Sequence, residues 1–339
     1  MAVSIRDVAK AARVSVSAAS KALNDYPDIG EETRKRVKNT ARKLGYIPNK
    51  SAKMLASKNT KDVAILFSGL LEGEQVDEIS TSIMKGVNSY IIKHKMNAAT
   101  YAIDSKIQEE KKLVEFCHEY SLSGVLLFGL RIDDKYVQEA QNSTIPCVGV
   151  DYKISGPCTT FVSIDDCKAF EEITEYVISQ NHKKLVLVFG RVESEVANER
   201  YKGFCQALKK HDMNIEEVPV IYTDFQEVEA CIKVREFIDR YGKENGTVFI
   251  CMSDMVAMGV YRAVKQSGYS IPEDFSVTGF DGLSFLGFVE PRLTTVDQRF
   301  YEKGYEAGRL IERLVNGERN LDEVVLRHEI VYGNSVKKL

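Results

Sequence analysis

The chain has 339 residues, 44% apolar and 28% charged, with a formal net charge of −3. That length exceeds one ordinary core, and the composition is that of a globular protein. No stretch nears the roughly 20 apolar residues with which a helix spans a bilayer, so no membrane-spanning helix is expected. The charge is uneven: residues 1–61 carry 14 Lys+Arg against 5 Asp+Glu, leaving the remainder at 32 against 44. A basic end on an acidic body points to a polyanionic partner for that end alone. The N-terminus opens straight into a helical pattern without a signal-peptide segment, and no membrane partner is expected. The seven cysteines lack a C-x-x-C pair, and several lie in apolar runs. That usage predicts reduced, packed thiols in a cytoplasm, and neither a disulfide framework nor a metal site.

Residues 1–48 read as a small all-α headpiece. Ser4 precedes a helix from Ile5, and Asp7 completes a capping box. Val8, Ala9 and Ala12 share one face of it. After a three-residue turn Ser15 caps a second helix whose Ala19, Ala22 and Leu23 turn inward. Two short helices so joined have the layout of a helix-turn-helix DNA reader. A third begins near Gly30, with Glu31 and Glu32 in its first turn and Arg42 and Lys43 in its last, matching the helix dipole; Gly45 stops it. The face of the second helix left exposed carries Val16, Ser17, Ser20 and Lys21, which suit base edges, phosphates or a thymine methyl. The competing reading is a merely solvated basic bundle.

Residues 49–60 read as a hinge. Ala52, Leu55 and Ala56 form one apolar stripe on a segment too short for helicity alone. It is expected to order only against a second copy and DNA, the alternative being a plain linker helix.

From 61 to 339 apolar strand-like runs alternate with amphipathic stretches. Strands are predicted at 63–67, 98–103, 125–128, 146–150, 185–189, 218–222, 247–251 and 276–280. Helical patterns occupy 77–93, 108–120, 167–180, 196–210 and 256–268. Such alternation implies parallel sheets covered on both faces, here in two lobes. Ligands of open parallel sheets lie beyond the strand carboxyl ends. Asp151, Arg200, Ser253-Asp254 and Asp281 stand at or near such ends. Converging acids, a guanidinium and hydroxyls suit a polar small molecule. Asp254, beside a helix start, reads as a cap.

The headpiece resembles the lactose/galactose repressor family. The likeness is carried by Ile5-Arg6-Asp7-Val8-Ala9, Val14-Ser15, Ser20-Lys21-Ala22-Leu23-Asn24, Glu32-Thr33-Arg34, Leu44-Gly45-Tyr46 and Pro48-Asn49. It extends more weakly through Asn181-His182-Lys183-Lys184, Arg200-Tyr201-Lys202-Gly203-Phe204, Ser253–Gly259, Gly279-Phe280-Asp281 and Pro291–Val296. The resemblance implies a periplasmic-binding-protein-like core, with lobe 1 at 61–161 plus 292–319 and lobe 2 at 162–291 plus 320–339. It implies DNA contacts at Ser4, Ser15, Val16, Ser17, Ser20, Lys21, Asn24 and Tyr46, and at Asn49, Ala52 and Leu55 of the hinge. Val16 and Ser17 would set operator preference, and Leu55 would be a minor-groove wedge. Effector contacts would be Asp151, Arg200, Ser253 and Asp281, with Phe225 as a stacking platform.

Three departures stand out. Arg13 occupies a turn position where the family offers glycine; a left-handed residue there is strained by about 1–2 kcal/mol, which predicts an altered turn. Arg13 could also contact a phosphate. Ser253 replaces asparagine, and the loop 68–75 lacks an Asn-Pro-aromatic stretch. The resemblance therefore implies a cytoplasmic, homodimeric repressor of a near-palindromic operator without a cofactor. Its control would come from a sugar-like, sugar-phosphate or nucleoside-like effector, or from a phosphorylated carrier-protein corepressor. The alternative is a solute-binding receptor without DNA function. No Walker loop, G-x-G-x-x-G, G-x-S-x-G or H-E-x-x-H occurs, which argues against an enzyme.

Overall fold

The computed structural model describes residues 3–24, 26–46, 62–67, 78–130, 134–192 and 194–339. The chain divides into two compact units, residues 1–60 and 61–339. The hinge residues Asn49, Ala52 and Leu55 and the loop 68–75 lie outside the described residues.

In the first unit three helices, α1 (Ile5–Ala12), α2 (Val16–Leu23) and α3 (Glu31–Leu44), enclose a core of Val8, Ala9, Ala12, Ala19, Ala22, Val37 and Ala41. Five of those seven are alanines, which lets short crossed helices approach closely. Ser4 and Asp7 form the capping box, and the Ser15 hydroxyl accepts from the Ala18 amide at 3.0 Å. Leu23 is only partly buried. The altered turn does not occur. Arg13 itself takes the left-handed conformation (φ 52°), and the Val14 amide donates to the Ala9 carbonyl at 3.0 Å. Closure of the turn outweighs the side-chain strain.

The second unit opens with β1 (Asp62–Phe67), α4 (Glu78–Lys93), β2 (Asn97–Ala102), α5 (Ser105–Glu110), α6 (Leu113–Glu119), β3 (Gly124–Phe128), α7 (Lys135–Gln141), β4 (Cys147–Val150) and β5 (Thr159–Ile164). Then come α8 (Asp166–Ser179), β6 (Leu185–Phe189), α9 (Glu195–Lys210), β7 (Val220–Tyr222), α10 (Glu227–Tyr241), β8 (Val248–Cys251), α11 (Asp254–Gln266) and β9 (Ser276–Thr278). The chain ends with β10 (Thr295–Asp297), α12 (Phe300–Val315), β11 (Val324–Leu326) and β12 (Glu329–Val331). One parallel sheet has the order β11-β5-β4-β3-β1-β2 and the other β7-β6-β8-β9, while β10 and β12 make an antiparallel ribbon. Each sheet is buried on both faces, which is why its strands read as unbroken apolar runs.

The pattern over 108–120 breaks into two helices at Lys111-Lys112. The lobe limits also move. Residues 162–164 continue β5, and β11 pairs with it, so the crossings expected near 161 and 320 lie beyond Ile164 and Leu326. Leu293 and Val296 pack in the second lobe and Phe300 in the first, which puts the remaining crossing at Gln298 rather than near 291. Among the described residues no helix is long and apolar enough to cross a membrane.

Helices α4 and α12 touch backbone to backbone. A Cβ at Gly304 would sit 2.1 Å from the Ile83 carbonyl oxygen, whereas one at Gly287 meets nothing within 4 Å. Gly304→Ala is expected to cost about 1–3 kcal/mol in urea unfolding, and Gly287→Ala under about 0.5.

His182, 1% exposed, joins the Thr247 hydroxyl and the Lys337 carbonyl, each at 2.9 Å, pinning the C-terminal segment to the second lobe. Burial lowers its pKa, although the Lys337 carbonyl opposes this. The unfolded chain therefore binds the proton first. The stability His182 contributes is complete above about pH 6.5 and drains away as pH falls below it. Between pH 7.5 and 5, urea unfolding of the wild type should lose stability that His182→Gln does not lose.

Candidate nucleic-acid interface and interlobe cleft

Helix α2 presents the expected outward face. Ser17 is exposed and Val16 is 45% exposed at its first turn, where a base edge can be reached. Several companions have local duties. Ser4 and Ser15 cap α1 and α2. The Asn24 amide donates to the Ser20 carbonyl at 2.9 Å, and the Lys21 ammonium pairs with Asp28. That exposed pair raises the Lys21 pKa through its hydrogen bond. Ser20 is half-buried, and Tyr46 packs partly on the headpiece core. Among the described residues expected to meet DNA, Val16 and Ser17 alone have no such duty.

In the second unit three of the five expected effector residues join one buried chain of charges. Asp151 follows β4 in a left-handed conformation (φ 61°) and accepts from the Lys303 ammonium at 2.6 Å. The same ammonium donates to the Gln298 side-chain oxygen at 2.8 Å, and the Gln298 amide donates to Asp281 at 2.7 Å. Asp281 lies 3.9 Å from the Arg200 guanidinium. Arg200 donates in turn to Asp166 at 2.8 Å and to the Met252 carbonyl at 2.6 Å, stacked 3.9 Å over the Phe280 ring. Lys303 is 0% exposed. Asp151 and Lys303 belong to the first lobe, Gln298 to a crossing, and Asp281, Arg200 and Asp166 to the second. The chain is the seam between lobes.

Desolvation dominates its electrostatics. Burial pushes the carboxyls of Asp151 and Asp281 above the usual range, while Lys303 and Arg200 respectively pull them down. Asp254 is raised by burial too, against its bond from the Thr295 hydroxyl. It is not the cap. Its carboxylate accepts from Thr295 and from the Gly282 and Leu283 amides at 2.8 and 2.9 Å, tying α11 to β10 and to the segment that follows β9. The cap is Ser253, whose hydroxyl accepts from the Val256 amide at 3.2 Å. Ser253 therefore borders the seam, one residue beyond the carbonyl that holds Arg200.

Phe225 lies elsewhere, half-buried at the carboxyl end of β7. Its ring covers Gly190 so closely that a Cβ there would fall 2.2 Å from it. It takes no part in the charge chain. Lys303, Gln298 and Asp166 were not singled out from the sequence. A signal existed for Lys303, which interrupts the apolar stripe of Phe300, Ala307, Leu310 and Ile311 at helical spacing. At the rim, Lys153 meets Glu199 across the lobes at 3.3 Å. Among the described residues no cluster of three or more His, Cys, Asp or Glu is arranged to hold a metal.

The pattern of bacterial regulatory proteins of the lacI family matches residues 4–49, and that of a periplasmic binding protein-like domain matches residues 174–336. This chain belongs to the lacI family. The HTH-type transcriptional regulator RegA of Clostridium saccharobutylicum is 28% identical over 335 residues, 98% of either chain. The Lac repressor dimer bound to operator and the anti-inducer ONPF has the same fold, with TM-score 0.87 at 20% identity over 99% of this chain and 100% of that one. A complex of the transcriptional regulator CelR with cellobiose gives TM-score 0.73 at 24% identity over 98% and 99%. As a lacI-family protein this chain is a helix-turn-helix transcriptional regulator, and a receptor without DNA function is not favoured.

Two substitutions separate seam from rim. Arg200→Leu strands Asp166 and Asp281 without their cation, which is expected to cost about 3–5 kcal/mol in urea unfolding. Lys153→Ala, at the solvated rim, should change stability by under about 1 kcal/mol.

Proposed function

We propose that this lacI-family regulator represses transcription in the cytoplasm by binding a near-palindromic operator as a homodimer. We propose also that a polar molecule of sugar or sugar-phosphate size, held between the lobes, changes its operator affinity. The observation that carries the first part is the outward first turn of α2, where Val16 and Ser17 stand exposed and unengaged on a Ser15-capped helix. A second copy places two such turns on successive major grooves, which is what a two-fold operator requires. The basic headpiece supplies the phosphate attraction. The dimer–operator complex of the Lac repressor supports this assembly by likeness of fold.

The second part rests on Asp151, Arg200 and Asp281 meeting between lobes, with Ser253 and Phe225 as further proposed contacts. The complex of CelR with cellobiose supports a sugar as the ligand. A small molecule fits better than a phosphorylated carrier protein, because the polar groups are buried between lobes. Lobes 1 and 2, as redrawn by their sheets, are the proposed moving parts.

Operators selected from random duplexes by the full-length protein test the reading. Affinity should fall steeply with salt, and a Val16→Ala/Ser17→Ala variant should lose about 5- to 150-fold discrimination while keeping non-specific binding. Leu55→Ala should weaken specific binding more than non-specific binding. Equal affinity of the wild type for all duplexes would end the proposal.

A further inference from the structure

A fully buried lysine on the apolar stripe of α12 needs a reason. Its ammonium is held by the Asp151 carboxylate at 2.6 Å, by the Gln298 oxygen at 2.8 Å and by the face of Phe300, whose centroid is 5.2 Å away. A carboxylate, an amide oxygen and an aromatic face around one position are the recognition set for a primary ammonium. Four largely buried carboxyl groups, those of Asp151, Asp166, Asp254 and Asp281, gather around the two cations Lys303 and Arg200.

We infer that Lys303 is a tethered ligand: the interlobe cleft contains a subsite for a primary ammonium, formed by Asp151, Gln298 and Phe300, which the chain fills with its own side chain. This rests on the cleft being the effector site. The lobes thus close without any free molecule. Whatever displaces Lys303 from Asp151 must bring an amine of its own. A sugar or sugar phosphate in the same cleft therefore binds beside Lys303 and leaves it on Asp151, because displacing it without an amine strands that carboxylate. Amine-bearing small molecules are the class this subsite accepts.

Chemical rescue in the full-length protein tests this. Lys303→Ala removes three carbons and the ammonium, the outline of n-propylammonium. The variant should melt at least 5 °C below the wild type. Propylammonium chloride at 10–100 mM should return at least half of that shift, with 1-propanol and propionate returning none and the wild type responding to none of the three. Where this variant gives no folded protein, Lys303→Met preserves volume; it should melt lower than the wild type, and adding Asp151→Asn should recover most of the loss. Equal rescue by propylammonium and propanol, no rescue of a folded Lys303→Ala protein, or a Lys303→Met protein as stable as the wild type would each overturn the tethered-ligand assignment. Operator binding is read separately by gel shift: its absence in the wild type sinks the regulatory reading and leaves the ammonium subsite measurable by melting.

Discussion

The ion pair between Lys303 and Asp151 sets the terms for the rest of the second unit. Stripping water from two charges costs several kcal/mol per ion, and their attraction offsets it only where every remaining donor and acceptor is met. Here the offset is shared along a line in which Gln298 relays one end to Asp281, and Arg200 carries the other to Asp166 and the Met252 carbonyl. Such a seam has little tolerance for intermediate positions. A displacement of an ångström or two breaks short charged bonds without admitting enough water to hydrate the ions. For the proposed lobe motion this means two favourable arrangements, seam formed or seam flooded, and few between. A molecule that binds only one of them shifts the population by its differential affinity.

The headpiece lives under a different constraint. Its core is a handful of alanines and valines, which bury little apolar area, so its helices depend on their ends. Ser4 with Asp7, Ser15, Gly30 and Gly45 occupy those ends. This is why serines implied as DNA contacts turn out to be caps first. The two roles are compatible at the N-terminus of α2, where a capped end also projects the next two side chains outward. Economy of sequence in so small a unit makes one residue serve stability and leaves the next exposed for the proposed recognition.

Much of this was legible in the sequence for a simple reason: parallel strands buried on both faces leave unbroken apolar runs, and their ends fall at the polar residue that follows. Asp151 and Asp281 were found that way. Strand β5 escaped because Thr159, Thr160 and Ser163 give it a polar look, although all three are buried. Its oversight displaced the expected lobe limit. Lys303 escaped because a lysine on a helix is ordinarily solvated, and its burial depends on an aspartate 152 positions away. Asp254 was read as the cap in place of Ser253 because both are good caps by type. What decided between them was that Gly282, Leu283 and Thr295 supply three donors at one carboxylate, a tertiary arrangement that a helix-start pattern does not encode.

The run Gly279-Phe280-Asp281-Gly282 shows how such a seam constrains sequence. A Cβ on Gly279 would lie 2.3 Å from Asp254 Oδ1, and one on Gly282 would lie 2.6 Å from the Asp297 Cα. The backbone therefore threads a slot with no room for side chains at those two places. Between them Phe280 lies under the Arg200 guanidinium, and Asp281 takes φ 133°, a conformation costing an L-residue roughly 1–3 kcal/mol. That strain persists because both neighbours are locked: the Asp281 amide donates to Val296, and its carbonyl accepts from the Gln298 amide. Relaxing the backbone would swing the carboxylate away from Gln298 and Arg200 together. The strained residue is thus the joint at which the two halves of the charge chain meet, and the glycines around it are the cost of bringing a carboxylate there.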